Sequence, residues 1–114
     1  MFDNILGLIP SLRSRFKATL TGVSGFTGRG MVGLTQKKNG TTKRLAVALR
    51  GIAGRTAEII IDGHLAATIA VKDGRAGKCF NSAKGHSLPD FHEGSQIEIR
   101  QNGDVVLTGV LSRS

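Results

Sequence analysis

No tryptophan and no tyrosine occur in these 114 residues, and five Phe make up the whole aromatic content. Surfaces that stack single-stranded bases on aromatic rings are disfavoured by that scarcity. The single cysteine, Cys79, excludes an internal disulfide and any sign it would give of an oxidising compartment. No apolar run reaches the ~18 residues that a membrane-spanning helix needs. The opening MFDNILGLIPSLRSRFK has Asp3 where a signal peptide carries basic residues, and its cations follow the apolar stretch. Export is not indicated, and the expectation leans toward the cytoplasm. Acidic residues are scarce in one half only: from Asn4 to Ala57 there is no carboxylate at all.

What is present is basic. Sixteen Lys and Arg against eight Asp and Glu give a net charge of +8. Residues 1–57 hold ten of those cations and one acid, for +9, whereas residues 58–114 hold six cations and seven acids, for −1. Mixed-sign surfaces suffice for solubility, so this one-sided run points to an anionic partner. The length suits one domain, which excludes a two-domain enzyme, a TIM barrel and a full dinucleotide-binding fold.

Phe2, Ile5, Ile9, Leu12 and Phe16 recur at spacings of three and four, which predicts an amphipathic helical arm over residues 1–17. Asp3 or Asn4 would cap it, Arg13, Arg15 and Lys17 would suit its C-terminal dipole, and Pro10 would kink it. Its stripe is expected to dock on the domain, on a second copy, or on a membrane surface.

From residue 18 to 114 short alternating runs are divided by glycine-rich turns, with sixteen Gly in the chain. Ala18–Val23 alternates; Gly30–Lys38 places Val32 and Leu34 on one face; Lys43–Arg50 places Leu45, Val47 and Leu49 inward. Asn39-Gly40 between the last two is a hairpin signal. Asp62-Gly63 joins Ala57–Ile61 to Leu65–Val71, and keeping their apolar residues on one face predicts an odd-length loop with Gly63 left-handed. Asp73-Gly74 turns into a run carrying Phe80, and Asn102-Gly103 joins Gln96–Arg100 to Val105–Leu111. The expected fold is all-β: a small antiparallel β-sandwich or barrel of about seven strands.

The stretch TAEIIIDGHLAATIAVKDGRAGKCFNSAKG, followed by LPDFHEGSQIEIRQNGDVVLTGVL, resembles small β-sandwich modules of bacterial proteins, envelope proteins among them. In architecture these modules are similar to chordin-type repeats and to the superoxide-dismutase-like sandwich. The resemblance implies the fold over about residues 18–111 and no obvious active site. The dismutase metal cluster has no counterpart, since no His-x-His occurs.

Other constellations carry less. Gly28-Arg29-Gly30-Met31-Val32-Gly33 spells G-x-G-x-x-G, but a hairpin signal follows where a dinucleotide site needs a helix. Cys79, His86 and His92, with His64 as a distant fourth, could be imagined as a metal site, but the x5 between His86 and His92 only just fits a zinc framework. Cys79 with Asp90 or Glu93 and a histidine lacks a nucleophile turn and an oxyanion hole. No metal, cofactor or catalytic residue is therefore expected. The anion-binding candidates are Arg29, Lys37, Lys38, Lys43, Arg44, Arg50 and Arg55, with four of them gathered at the Asn39-Gly40 hairpin. The leading expectation is a non-enzymatic interaction or assembly module, a homo-oligomer or one that binds a protein partner. The alternatives are a sequence-tolerant nucleic-acid binder and a binder of an anionic membrane or surface polymer.

Overall fold

The structure, a computed structural model, describes residues 13–23, 25–37, 42–82, 85 and 87–113. Nine antiparallel strands form one sheet: β1 (Arg13–Gly22), β2 (Arg29–Lys37), β3 (Lys43–Arg50), β4 (Thr56–Ile61), β5 (His64–Ala70), β6 (Arg75–Asn81), β7 (Gln96–Gln101), β8 (Asp104–Val110) and β9 (Ser112–Arg113). Their order is β5-β4-β7-β8-β1-β2-β3-β6, with β9 continuing the β8 side along β1. β5 and β6, the two ends of that order, meet at the Asp73-Gly74 turn through a single bridge, Lys72 to Arg75. The result is a nearly closed barrel. β7 returns beside β4, on the side away from β5.

The expected helical arm does not extend over residues 13–17. Residues 13–17, its last turn and a half, are strand, paired with β2 in a register that runs from Arg13↔Lys37 to Thr21↔Arg29. Phe16, counted on the helical stripe with Leu12, instead alternates with Ala18 and Leu20 at period two, and all three are buried. The period-two pattern wins because β2 offers a hydrogen-bonded partner along the whole strand, whereas an isolated short helix is marginal in water. Phe2, Ile5, Ile9 and Leu12 lie outside the described residues. Among the described residues no helix is long and apolar enough to cross a membrane.

The core is filled by inward residues of every wall, including Leu20, Leu34, Leu45, Ile59, Ile99 and Leu107, each 1% exposed or less. On β3 burial alternates strictly through Leu45, Val47 and Leu49. Three turn pairs, Asp62-Gly63, Asp73-Gly74 and Asn102-Gly103, have positive φ at both positions, the conformation that favours tight hairpins. This overturns the odd-length loop expected at Asp62-Gly63. Ile61 pairs with His64 directly across a two-residue turn, and a bulge at Ile59/Ile60 then shifts the register so that Ile59 faces Ala67 and Ala57 faces Ile69. The bulge, not the loop, brings Ala67 and Ile69 onto the Ile59 face, whereas Leu65, expected on that face too, pairs with Ile60 before the bulge and is 56% exposed. The β7–β8 hairpin repeats the device, with a shift at Ile99/Arg100.

Residues 87–95 run across the barrel end opposite the Asp73-Gly74 turn. Leu88 and Phe91 are buried there, and the Phe91 ring meets Phe16 edge-on at 5.7 Å. Asp62 anchors this segment: its carboxylate accepts hydrogen bonds from the Ser95 hydroxyl at 2.7 Å and the Gln96 amide at 2.8 Å. Those two donors, the hydroxyl first, hold the Asp62 carboxyl below its ordinary value. A carboxyl depressed in the fold stabilises it above its unfolded value of ~3.9, and that stability is lost as pH falls through the lower folded value. Asp62→Ala is expected to cost about 1–3 kcal/mol at neutral pH, since fully buried Ser95 loses the acceptor for its proton. The variant's stability, measured by urea unfolding from pH 7 to pH 2, should also fall less steeply at the acid end. An acid slope equal to that of the parent would remove Asp62 from the acid sensitivity.

Candidate functional site

Alternation on four neighbouring strands decides what faces outward. Where Phe16, Ala18 and Leu20 point in, Arg15, Lys17, Thr19 and Thr21 point out, and the same parity governs β2, β3 and β6. Register then sets these outward residues in rows across the sheet. One row is Thr21, Arg29, Arg50 and Arg75; the next is Thr19, Met31, Ala48 and Gly77. A third is Lys17, Gly33, Ala46 and Cys79, and a fourth is Arg15, Thr35, Arg44 and Asn81. Two arginine-bearing rows thus flank two rows in which only Lys17 and Met31 are large. Arg44 and Arg50 mark their separation along β3, about 20 Å at ~3.4 Å per residue.

The electrostatics are one-sided. β1 carries three Lys or Arg, β2 two, β3 three and β6 two, with no acid on any of them. Strand carboxylates sit on the other wall, as Glu58 on β4, Glu98 on β7 and Asp104 on β8. Glu98 is held by Arg100 at 2.6 Å. Arg15, Lys17, Arg29, Arg44, Arg50 and Arg75 are exposed, and among the described residues none of them forms an ion pair. Like charges directly opposite one another on adjacent strands destabilise a sheet. The Arg29–Arg50–Arg75 row therefore carries a folding cost that an anion would relieve.

Beside that row the face dips into an open groove of about 690 Å³, lined by residues that include Thr19, Met31, Ala48, Arg29 and Arg50. Gly30 explains the dip. It points inward between Leu20 and Leu49, and a Cβ there would come within 2.5 Å of the Leu49 side chain and 3.0 Å of the Ala48 carbonyl. Without a side chain, β2 settles onto the core and its outer surface sinks. Met31 stays 49% exposed on the groove wall.

The structure redistributes the residues singled out in sequence. Arg29 and Arg50 share one row, and Arg44 lies in the other. Lys37 reaches the end of β2 opposite Arg13, and Lys38 lies outside the described residues. Lys43 and Arg44 point to opposite sides of β3, so the two do not gather on one face. Lys43 turns instead to the 87–95 segment, 2.6 Å from Asp90 and 3.4 Å from the Leu88 carbonyl. Its ammonium holds the Asp90 carboxyl below the ordinary value. Arg55 belongs to the 51–55 connection, where its carbonyl accepts from the Val71 amide. Arg15, Lys17 and Arg75 are the additions. Period-two alternation through Phe16 was the available signal for the first two, but nothing local marks Arg75, which comes from the nearly neutral half.

The remaining candidates stay apart. Cys79 is exposed on the outer side of β6, opposite Ala46. His86 lies outside the described residues, and among those described no three His, Cys, Asp or Glu come together to hold a metal ion. Ser95, Asp62 and His92 are neighbours, with His92 Nε2 3.7 Å from Asp62. Ser95 is fully buried and donates to the carboxylate, not to the imidazole, which is the wrong arrangement for a nucleophile and its base. Residues 29–37 are strand, so no helix N-terminus follows the Gly28–Gly33 motif. Compared with known proteins, the chain matches no protein-family model and no curated protein.

Proposed function

We propose that this chain is a non-enzymatic binding module that holds a nucleic acid by its phosphates, without reading base sequence, on the outer face of β1, β2, β3 and β6. The observation that carries this reading is the Arg29–Arg50–Arg75 row: three guanidinium groups in adjacent cross-strand register with no carboxylate among them. Neighbouring strands lie about 4.8 Å apart, so the row presents a line of charge that suits a polymer of phosphates better than one isolated anion. A second arginine row some distance along the strands extends the same logic. An anionic membrane is the weaker fit, because among the described residues of β1, β2, β3 and β6 Met31 is the one large apolar side chain that stands exposed. Self-association through the face would set arginine rows against each other.

Binding of a labelled oligonucleotide, followed by fluorescence anisotropy, tests the reading. Contacts from roughly five arginines should weaken affinity about 10²–10³-fold between ~50 and ~200 mM salt, alike for unrelated sequences. Bound nucleic acid should also slow alkylation of Cys79, which lies on the same face. Absence of binding at the lowest salt, or an affinity indifferent to salt, overturns the proposal. Binding to anionic vesicles with none to nucleic acid reassigns the face to a membrane.

A further inference from the structure

We infer that the groove beside the upper arginine row makes single-stranded nucleic acid the preferred ligand, one unstacked base lying on Thr19, Met31 and Ala48 while its flanking phosphates rest on Arg29 and Arg50. This rests on the nucleic-acid reading and adds a substrate class to it. The arginine row alone would serve a duplex equally well, since duplex and single strand both display phosphates. The groove breaks that equality. It is open, walled largely by apolar atoms, and the cations that line it, Arg29 and Arg50, belong to one row.

The spacing suits a nucleotide. Met31 lies two residues from Arg29, and Ala48 two from Arg50, about 7 Å along each strand, a reach comparable with that from a phosphate to its own base. In a duplex the bases are paired and stacked inside, so the groove could meet only sugar and phosphate. In a single strand a base can splay outward and cover the floor. The chemistry differs from that of aromatic platforms. The Met31 thioether and the guanidinium planes supply the contact surface, since both thioether and guanidinium pack favourably on π systems. An acyl chain is a poorer occupant, because an open trough leaves most of its length in water.

The test compares a single strand, its duplex and inorganic polyphosphate as ligands of the full chain. The single strand should bind about 10-fold more tightly than the duplex, near the low end expected for a base contact without an aromatic ring. Ala48→Ile should fill the floor with a residue that suits an exposed strand position. It should bring single-strand affinity to within about threefold of the duplex value, a larger loss than duplex or polyphosphate shows. A thermal melt confirms that the variant is folded. With the parent chain, a 2-aminopurine placed in the single strand should brighten on binding as it leaves its stacked neighbours. Equal affinities for single strand and duplex, equal losses for both in Ala48→Ile, or unchanged 2-aminopurine emission would each overturn the inference while leaving phosphate binding intact. Failure of every nucleic acid to bind would instead remove the underlying reading.

Discussion

Replacing Arg29, Arg50 and Arg75 together by threonine is expected to lower nucleic-acid affinity about 10³-fold at low salt and to make the fold more stable. The first effect follows from charge-assisted hydrogen bonds worth about 1.5 kcal/mol or more each, three of which are removed. The slope of log affinity against log salt for a duplex should become shallower by about 2.7, close to 0.9 for each phosphate left without its arginine. The second effect has the opposite sign. The three guanidinium groups occupy neighbouring positions in the Arg29↔Arg50 and Arg50↔Arg75 pairs, and none has an acidic partner among the described residues. Relieving each like-charge pair should return roughly 0.2–1 kcal/mol, and threonine suits an exposed strand position. Anisotropy titrations and a urea melt on the same protein read both numbers. Arg55→Thr, in the 51–55 connection and off the face, serves as the comparison and should change neither by much. Loss of stability in the triple variant, or an affinity within about threefold of the parent, would show that the row serves the fold and not a ligand.

The second large effect concerns barrel closure. Gly109→Val is expected to destabilise the chain by about 3 kcal/mol or more and to lower the melting temperature by roughly 10 °C. A Cβ at Gly109 would stand 2.4 Å from the Thr19 carbonyl oxygen and 2.8 Å from the Leu20 side chain. The first of these is backbone and cannot swing aside. β8 must then withdraw from β1, which it joins through only two residue pairs, Thr21↔Thr108 and Gly22↔Leu107. Gly33→Ala is the matched control on β2. A Cβ there meets nothing within 4 Å, and its φ is not positive, so the loss of backbone freedom in the unfolded chain should make it neutral or stabilising by up to ~1 kcal/mol. Circular-dichroism melts of the two variants should therefore move in opposite directions, or at least differ by several degrees. A Gly109→Val melt within two or so degrees of the parent would mean that β8 and β1 are not held as closely as the geometry requires.

The turns and the inward faces of the strands were legible because both depend on neighbours in sequence. Asp62-Gly63, Asp73-Gly74 and Asn102-Gly103 announce left-handed turns through residue types that tolerate positive φ. Leu45, Val47 and Leu49 announce their face through period two. Phe16 was misleading because its spacing to Leu12 fits a helix while its spacing to Ala18 and Leu20 fits a strand; pairing with β2 decided between them. The loop at Asp62-Gly63 departs from its expected length because a bulge can correct register anywhere along a hairpin, and no residue at Ile59 or Ile60 signals it.

The β-rich character, the positions of the Asp-Gly and Asn-Gly turns, the inward faces of β2 and β3 and the concentration of charge before residue 57 follow from the sequence alone. Which cations share a face depends on how the strands are ordered in the folded chain. Strand order brings Arg75 beside Arg50 across the β3–β6 pair, and strand parity sends Lys43 away from Arg44 toward Asp90. The physical reason is that side-chain alternation and turn chemistry act over a few residues. Which distant strands become neighbours is set by closing the barrel around a common core, and that choice turned a count of positive charges into two rows and a groove.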